Sequence, residues 1–335
     1  MKFNFKIQQY QTDAVEAVAK VFNGQLKHET GYVYRHDIGK QKVEAQGTLA
    51  GYGEEVLDTG YGNEAILLSD GQLLDNINKV QDYYNVNRSS ALDKSLGRCA
   101  LDVEMETGTG KTYVYIKTMF ELNKLYGWSK FIVVVPSIAI REGVKKSFEM
   151  LEEHFMEHYG QKARFFVYNS ANLNQLDSFA TNTGINVMII NTQAFATSLK
   201  EDGKSKEARI IYSKRDEFAS RRPIDVISAM RPIIIMDEPQ KMLGAATKNA
   251  LKQFKPLFSI NYSATHKEEH NKVYVLDALD AYNKKLVKRI QVKGIEVKNL
   301  RGNDSYLFLE RIVLSQKKPP MARLEFEVAH SGGIK

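Results

Sequence analysis

Lys111 and Thr112 follow the two glycines of Met105-Glu106-Thr107-Gly108-Thr109-Gly110, and Asp237 and Glu238 stand side by side after an apolar run. These residue types suit the chemistry of a phosphate chain. Gly108 and Gly110 have no Cβ to clash, so the backbone there is free to turn its N–H groups inward around an anion. Lys111 reaches toward outer phosphates, and the Thr112 hydroxyl suits a magnesium ion that bridges them. The first glycine of the usual G-x-x-x-x-G-K-[ST] pattern is Met105 here, so the loop needs a second half-site to carry weight. Asp237 and Glu238 supply it. The aspartate suits the metal, and the glutamate is placed to orient or deprotonate an attacking water. Far upstream, Gln11 offers an amide donor and acceptor that match the edge of adenine, with aromatic residues nearby to stack on the ring.

Each group needs an element to hold it. Residues 99–103 read as a strand ahead of the loop. Residues 113–125 read as the helix behind it, whose N-terminal dipole adds positive potential at the anion. Ile233-Ile234-Ile235-Met236 reads as a strand buried on both faces, as parallel strands are. It leaves the two acids at its carboxyl end, where α/β sheets take ligands. Residues 131–135, 164–168, 186–190 and 257–262 read as further strands with helical stretches between them, which predicts a doubly wound parallel sheet. Ala14, Val15, Val18, Val21 and Phe22 fall at helical spacing and predict an amphipathic helix near the N-terminus. Residues 24–95 carry recurrent glycines and predict hairpins and turns, with a polar helix over 73–84, inserted ahead of the core sheet. The charged stretch 199–231 predicts an exposed arm. From Lys288 onward the pattern alternates, which predicts a separate antiparallel β segment.

The 335 residues suffice for two domains, and a hydrophobic fraction of 43% argues for a large core rather than disorder. No apolar run approaches a membrane span, and the first residues lack a signal-peptide core. The single cysteine, Cys99, permits no internal disulfide and reads as a buried apolar residue. These features predict a cytoplasmic protein. The net charge of +7 is unevenly spread: residues 1–283 hold 35 basic and 35 acidic side chains, and residues 284–335 hold 12 and 5. A basic C-terminal stretch on a neutral body suggests a polyanion partner.

Tyr10-Gln11, the Thr107–Thr112 loop, Val135-Pro136-Ser137, Asn191-Thr192-Gln193, Asp237-Glu238-Pro239-Gln240 and Ser263-Ala264-Thr265 occur in the order found in superfamily-two helicases. The D-E-P-Q box, the M-E-T-G-T-G-K-T loop and residues 280–288 make the chain similar to the restriction (Res) subunit of type III restriction–modification enzymes. The resemblance implies a RecA-like lobe over residues 1–286, and a β-rich segment over 287–335 that leads to a second lobe and a nuclease domain outside this sequence. The sequence thus reads as the first part of a longer protein. The resemblance also implies ATP and Mg²⁺ as cofactors, and double-stranded DNA and a methyltransferase (Mod) subunit as partners. By the same resemblance, Thr107, Gly108, Thr109, Gly110 and Lys111 cradle phosphates, Thr112 and Asp237 hold the metal, Glu238 activates water and Gln240 senses the γ-phosphate. Ser263 and Thr265 couple nucleotide state to DNA grip, and Ser137 and Thr192 touch DNA phosphates. In the family the second lobe adds arginines, so residues 1–335 alone are expected to hydrolyse ATP weakly. Three other expectations stand beside this one: a type I restriction or repair motor, an RNA helicase, and a non-catalytic ATP-binding module. Glu296-Val297-Lys298 has the E-x-K form of a nuclease strand but lacks a preceding acid, and reads as a wet strand face. His266 and His270 read as surface histidines on a helix.

Overall fold

A computed structural model describes residues 5–28, 32–35, 59–195, 210–214, 220–242, 244–287, 307–313, 319–326, 329–330 and 333–334. The chain divides into two compact units, Met1–Lys288 and Arg289–Lys335. The first is built on one seven-stranded parallel sheet. In chain order its elements begin with helix α1 (Gln9–Lys20), the short strands β1 (Tyr32–Arg35) and β2 (Thr59–Gly62), and helix α2 (Asp70–Tyr83). Then come β3 (Ala100–Met105), α3 (Lys111–Tyr126), β4 (Lys130–Val135), α4 (Ile138–Tyr159), β5 (Arg164–Val167), α5 (Asn174–Thr181) and β6 (Asn186–Asn191). β7 (Ile233–Asp237), β8 (Ser259–Ser263) and β9 (Asn271–Leu276) complete the sheet, whose spatial order is β5-β6-β4-β7-β8-β3-β9.

The sheet is parallel throughout, and its central strands β4, β6, β7 and β8 are buried on both faces. Along β4, Phe131, Val133 and Val135 enter one core with Val18, Phe22, Val114 and Phe155. Ile132 and Val134 enter the other with Phe179, Ile227, Leu251 and Phe254. This period-two division explains why the strands read as continuous apolar runs. Register aligns their carboxyl ends: Val135 pairs with Asn191, Asp237 with Tyr262, and Glu104 with Ser263. The expected RecA-like α/β fold is the one observed, and it gathers the candidate residues along one sheet edge.

Several elements differ from the sequence expectation. The hairpin β1–β2 is present in residues 24–95, but residues 63–95 are structural core rather than an appendage. Ser69 caps α2 in a capping box with Gln72, and Leu73 and Ile77 are fully buried. Asn63 is the rivet: its amide donates to Lys130 O at 2.9 Å and Arg231 O at 3.0 Å, and accepts from the N–H groups of Ser129 and Lys130. The expected arm at 199–231 is corrected in its described part. Ile211 and Met230 are fully buried, and Pro223–Ala229 is a helix whose Ile224, Val226 and Ile227 face the second core. Frequent charges hid that apolar spacing. Residues 196–209 and 215–219 lie outside the described residues. β9 and α5 were not expected, since both are short and follow polar stretches. His266 and His270 are not on a helix and not on the surface: both rings are buried against Asp102.

In the second unit, β10 (Leu307–Val313) and β11 (Met321–Phe326) pair antiparallel, with a bulge between Leu309 and Arg311. The expected strands at 289–292 and 295–297, and Glu296-Val297-Lys298 with them, lie outside the described residues. Among the described residues no helix is long and apolar enough to cross a membrane.

Candidate nucleotide site

Between the end of β3 at Met105 and the start of α3 at Lys111, the backbone makes the turn that the glycines permit. Gly108 and Gly110 have φ of 85° and 91°, in the left-handed region where a Cβ is strained. A Cβ on Gly110 would also lie 2.6 Å from the Gln11 amide nitrogen. Bare backbone therefore lets α1 press against the loop. Two side chains of its first turn hold the Thr109 carbonyl: Tyr10 Oη donates at 2.9 Å and Gln11 Nε2 at 3.2 Å. Thr109 Oγ1 donates to Glu106 O at 2.6 Å, and the Thr107 N–H donates to the Glu106 carboxylate at 2.7 Å.

Glu238 follows β7 with φ of 56°, a left-handed conformation that costs a non-glycine residue energy. Its N–H donates to Tyr262 O at 2.9 Å, which pins the turn to β8. From this turn a continuous chain of polar contacts runs along the sheet edge. Lys111 Nζ stands 2.9 Å from Glu238 Oε1 and donates to Met105 O at 3.2 Å. Gln240 Nε2 donates to Glu238 Oε2 at 2.6 Å, and Gln240 Oε1 accepts from Ser263 Oγ at 2.8 Å. Ser263 Oγ also lies 2.7 Å from Thr265 O and accepts from the Thr265 N–H at 3.1 Å. A hydroxyl has one proton, so Ser263 donates to Gln240 or to the Thr265 carbonyl, not to both at once.

The two acids differ in charge state because their surroundings differ. Burial, with the neighbouring Glu238 charge, pushes the Asp237 carboxyl up to about 6, against the opposing pull of Lys111 and Lys241. Burial acts on Glu238 in the same sense. There the hydrogen bond and charge of Lys111, helped by Gln240, win and hold it below the usual carboxylate range. A buried carboxylate held short of full ionisation fits a divalent cation, whose charge would reverse that balance. The buried Tyr115 hydroxyl lies beside Asp237 and Thr112 and interacts with both. These groups fit magnesium, with Thr112 and Asp237 as the residues that would hold it.

Ser137 and Thr192 lie just past the ends of the adjacent strands β4 and β6. The Ser137 hydroxyl caps α4, accepting from the Ile140 N–H at 3.3 Å. Beside them opens a cleft of about 670 Å³ over the ends of β5 and β6, lined among others by Arg141, Lys145, Asn169, Asn172, Gln175 and Gln193. No acid lines it. Sequence reasoning missed this set. Arg141 and Lys145 are one helical turn apart on α4, which was the available signal. It also missed Tyr10 as the clamp on the loop, a contact made across 99 positions.

Residues 63–268 match the family model described as "Type III restriction enzyme, res subunit". The chain is 33% identical over 249 residues to the Res subunit of the EcoP15I type III restriction–modification enzyme of Escherichia coli, covering 68% of this chain and 25% of that protein. It is 31% identical over 242 residues to the EcoPI Res subunit of Escherichia phage P1, with the same shares covered. It therefore spans about a quarter of the length of these curated relatives. A Sulfolobus solfataricus SWI2/SNF2 ATPase core solved in complex with double-stranded DNA aligns with 57% of this chain and 31% of its own, at 13% identity and a TM-score of 0.30.

Proposed function

Since the chain belongs to the family of type III restriction enzyme Res subunits, we propose that it binds and hydrolyses ATP with magnesium and couples this to movement along double-stranded DNA. The longer protein would thereby drive DNA cleavage with a methyltransferase (Mod) partner. The observation that carries the reading is the unbroken path from Lys111 through Glu238 and Gln240 to Ser263, with Asp237 alongside. Magnesium, when bound, neutralises phosphate charge. Lys111 exchanges Glu238 for the outer phosphates. Glu238, once released, is an ionised carboxylate at the sheet edge, available to take a proton from water. Gln240 reports that release to Ser263, because it bonds both. Gln11 seats the loop and reads the adenine edge.

Ser137, Thr192 and the cleft with Arg141 and Lys145 suit a sugar–phosphate backbone. Arg141 and Lys145 pair with Glu142 at 3.0 Å and Glu149 at 3.9 Å, and can exchange those exposed carboxylates for phosphates, a contact that does not depend on base. Sequence recognition would then belong to the partner.

The test is a nucleotide titration. Wild-type chain should bind ATP in preference to GTP, and Lys111→Ala should weaken binding by roughly 10-fold or more, the loss of a charged hydrogen bond. Equal affinities for ATP and GTP would remove the adenine role of Gln11. Unchanged binding by the Lys111 variant would remove the site.

A further inference from the structure

Strands β8 and β9 are parallel, yet only residues 264–270 join them. Such connections commonly need a dozen residues and a helix. β8 ends level with Glu104 and β9 begins level with Leu101, one on each side of β3. The joining strap therefore runs back along β3, from the carboxyl edge toward the start of the strand. Lacking a helix, it has no apolar face to bury, and a buried carboxylate holds it instead.

That carboxylate is Asp102, fully buried on β3. Its Oδ2 accepts from the His270 backbone N–H at 2.8 Å, and its Oδ1 accepts from the Asn261 amide at 2.7 Å and contacts His270 Nδ1 at 3.0 Å. His266 Nδ1 lies 3.7 Å from the same oxygen. His270 Nδ1 lies between the Asp102 carboxylate at 3.0 Å and the Asn261 amide nitrogen at 3.2 Å, and the carboxylate's charge favours the form in which Nδ1 donates to Asp102. Burial raises and His270 lowers the Asp102 pKa; the lowering wins and keeps it ionised. Among the described residues no group of three or more His, Cys, Asp or Glu is arranged to hold a metal ion. Two of its polar atoms, Asn261 Oδ1 and His266 Nε2, are buried without a partner. Leaving them so costs free energy.

The strap is thus tied at two ends. At its start, Ser263 hangs from Gln240 and so from Glu238 and Lys111. At its finish, His270 hangs from Asp102, three residues before the phosphate loop on the strand that delivers that loop. Thr265 lies between. We propose that Asp102 is a positioning residue of the strap, not of the nucleotide pocket: through His270 it anchors the far end of residues 264–270, so that a shift of Ser263 moves Thr265 against the nucleic-acid edge instead of being lost in slack. The proposal rests on the nucleotide and DNA binding proposed above.

The experiment measures duplex DNA affinity of the whole chain by fluorescence anisotropy, with and without a saturating non-hydrolysable ATP analogue and Mg²⁺. A separate titration reads the affinity for the analogue, and a thermal melt reads folding. Wild type should show an affinity ratio of about 5 or more, the low end of ordinary coupling. Asp102→Asn and His270→Ala should bring that ratio to within about twofold of 1 while nucleotide affinity stays within about twofold. His270→Asn, which keeps an N–H donor near the Nδ1 position, should recover much of the ratio. If Asp102→Asn does not fold, the two His270 variants carry the test. Variants that keep the wild-type ratio overturn the proposal. So do variants that lose nucleotide binding in parallel, which would make Asp102 a mere support of the loop, and a wild-type ratio of 1 despite nucleotide binding. Absence of nucleotide binding by wild type sinks the proposed function itself, and the titration reads that outcome separately.

Discussion

Glu238 carries two unusual features at once, a left-handed backbone and an ion pair with the lysine that should be serving phosphates. The left-handed turn aims the carboxylate across the edge, where Lys111 neutralises it, and a bound phosphate would compete for the same lysine. Asp237 is more deeply buried, and burial with the Glu238 charge raises its carboxyl to about 6 despite Lys111 and Lys241. The two acids should therefore fail differently when changed. Glu238→Gln should keep nucleotide affinity and lower single-turnover phosphate release by roughly 10²-fold or more, as loss of a general base does. Asp237→Asn should instead raise the Mg²⁺ concentration needed for half-maximal nucleotide binding. Normal turnover by the Glu238 variant would transfer the base to another group. At this scale the sequence was informative because the chemistry is local: G-x-G-K-T and D-E-P-Q each place their groups within eight positions. Tyr10 on Thr109, Asp102 on His270 and Asn63 on Lys130 were not legible. Each joins residues that are distant in the chain, and each bond ends on a backbone atom or a buried ring that has no sequence signature.

Elements place those residues by register, and the strands of the doubly wound sheet were mostly readable because burial on both faces leaves long apolar runs. Elements whose apolar residues sit among charges were misjudged, as in the helix Pro223–Ala229, or overlooked, as in β9. One link between elements has a cost that pH should reveal. The Lys130 ammonium, buried at the start of β4, donates to Phe179 O at 2.6 Å and to Asn182 O, so it closes the C-terminal end of α5. Burial lowers its pKa to about 7 from 10.5. The folded chain therefore binds fewer protons than the unfolded chain between those values. With unfolding stability rising with pH wherever the unfolded state binds more protons, Lys130 makes the protein more stable at pH 9 than at pH 7. Its slope is at most about 1.4 kcal/mol per pH unit. Urea unfolding of wild type should show that rise, and Lys130→Met should flatten it. Parallel curves for the two proteins would mean that the ammonium is not desolvated as its surroundings suggest.

At the scale of the whole chain, both units carry an excess of basic residues, denser in the second. The sheet unit through Lys288 holds 38 basic and 35 acidic side chains, and residues 289–335 hold 9 and 5. If both the basic stretch and the cleft with Arg141 and Lys145 meet phosphates, DNA affinity should fall steeply with salt and be indifferent to base sequence. The logarithm of the association constant drops by about 0.9 for each phosphate contact per unit of log salt. The two contributions can be separated, because residues 1–288 form a compact unit with their own core. A chain ending at Lys288 should bind duplex DNA more weakly and with a shallower salt slope. Arg141→Ala with Lys145→Ala in the complete chain should take off up to about two contacts' worth of slope without changing the rest. Duplexes of unrelated sequence should give the same curves. A slope unchanged by removal of the basic stretch would assign it to a protein surface instead, with a second subunit as the polyanion's replacement. A slope unchanged by the double substitution would leave the cleft without nucleic acid.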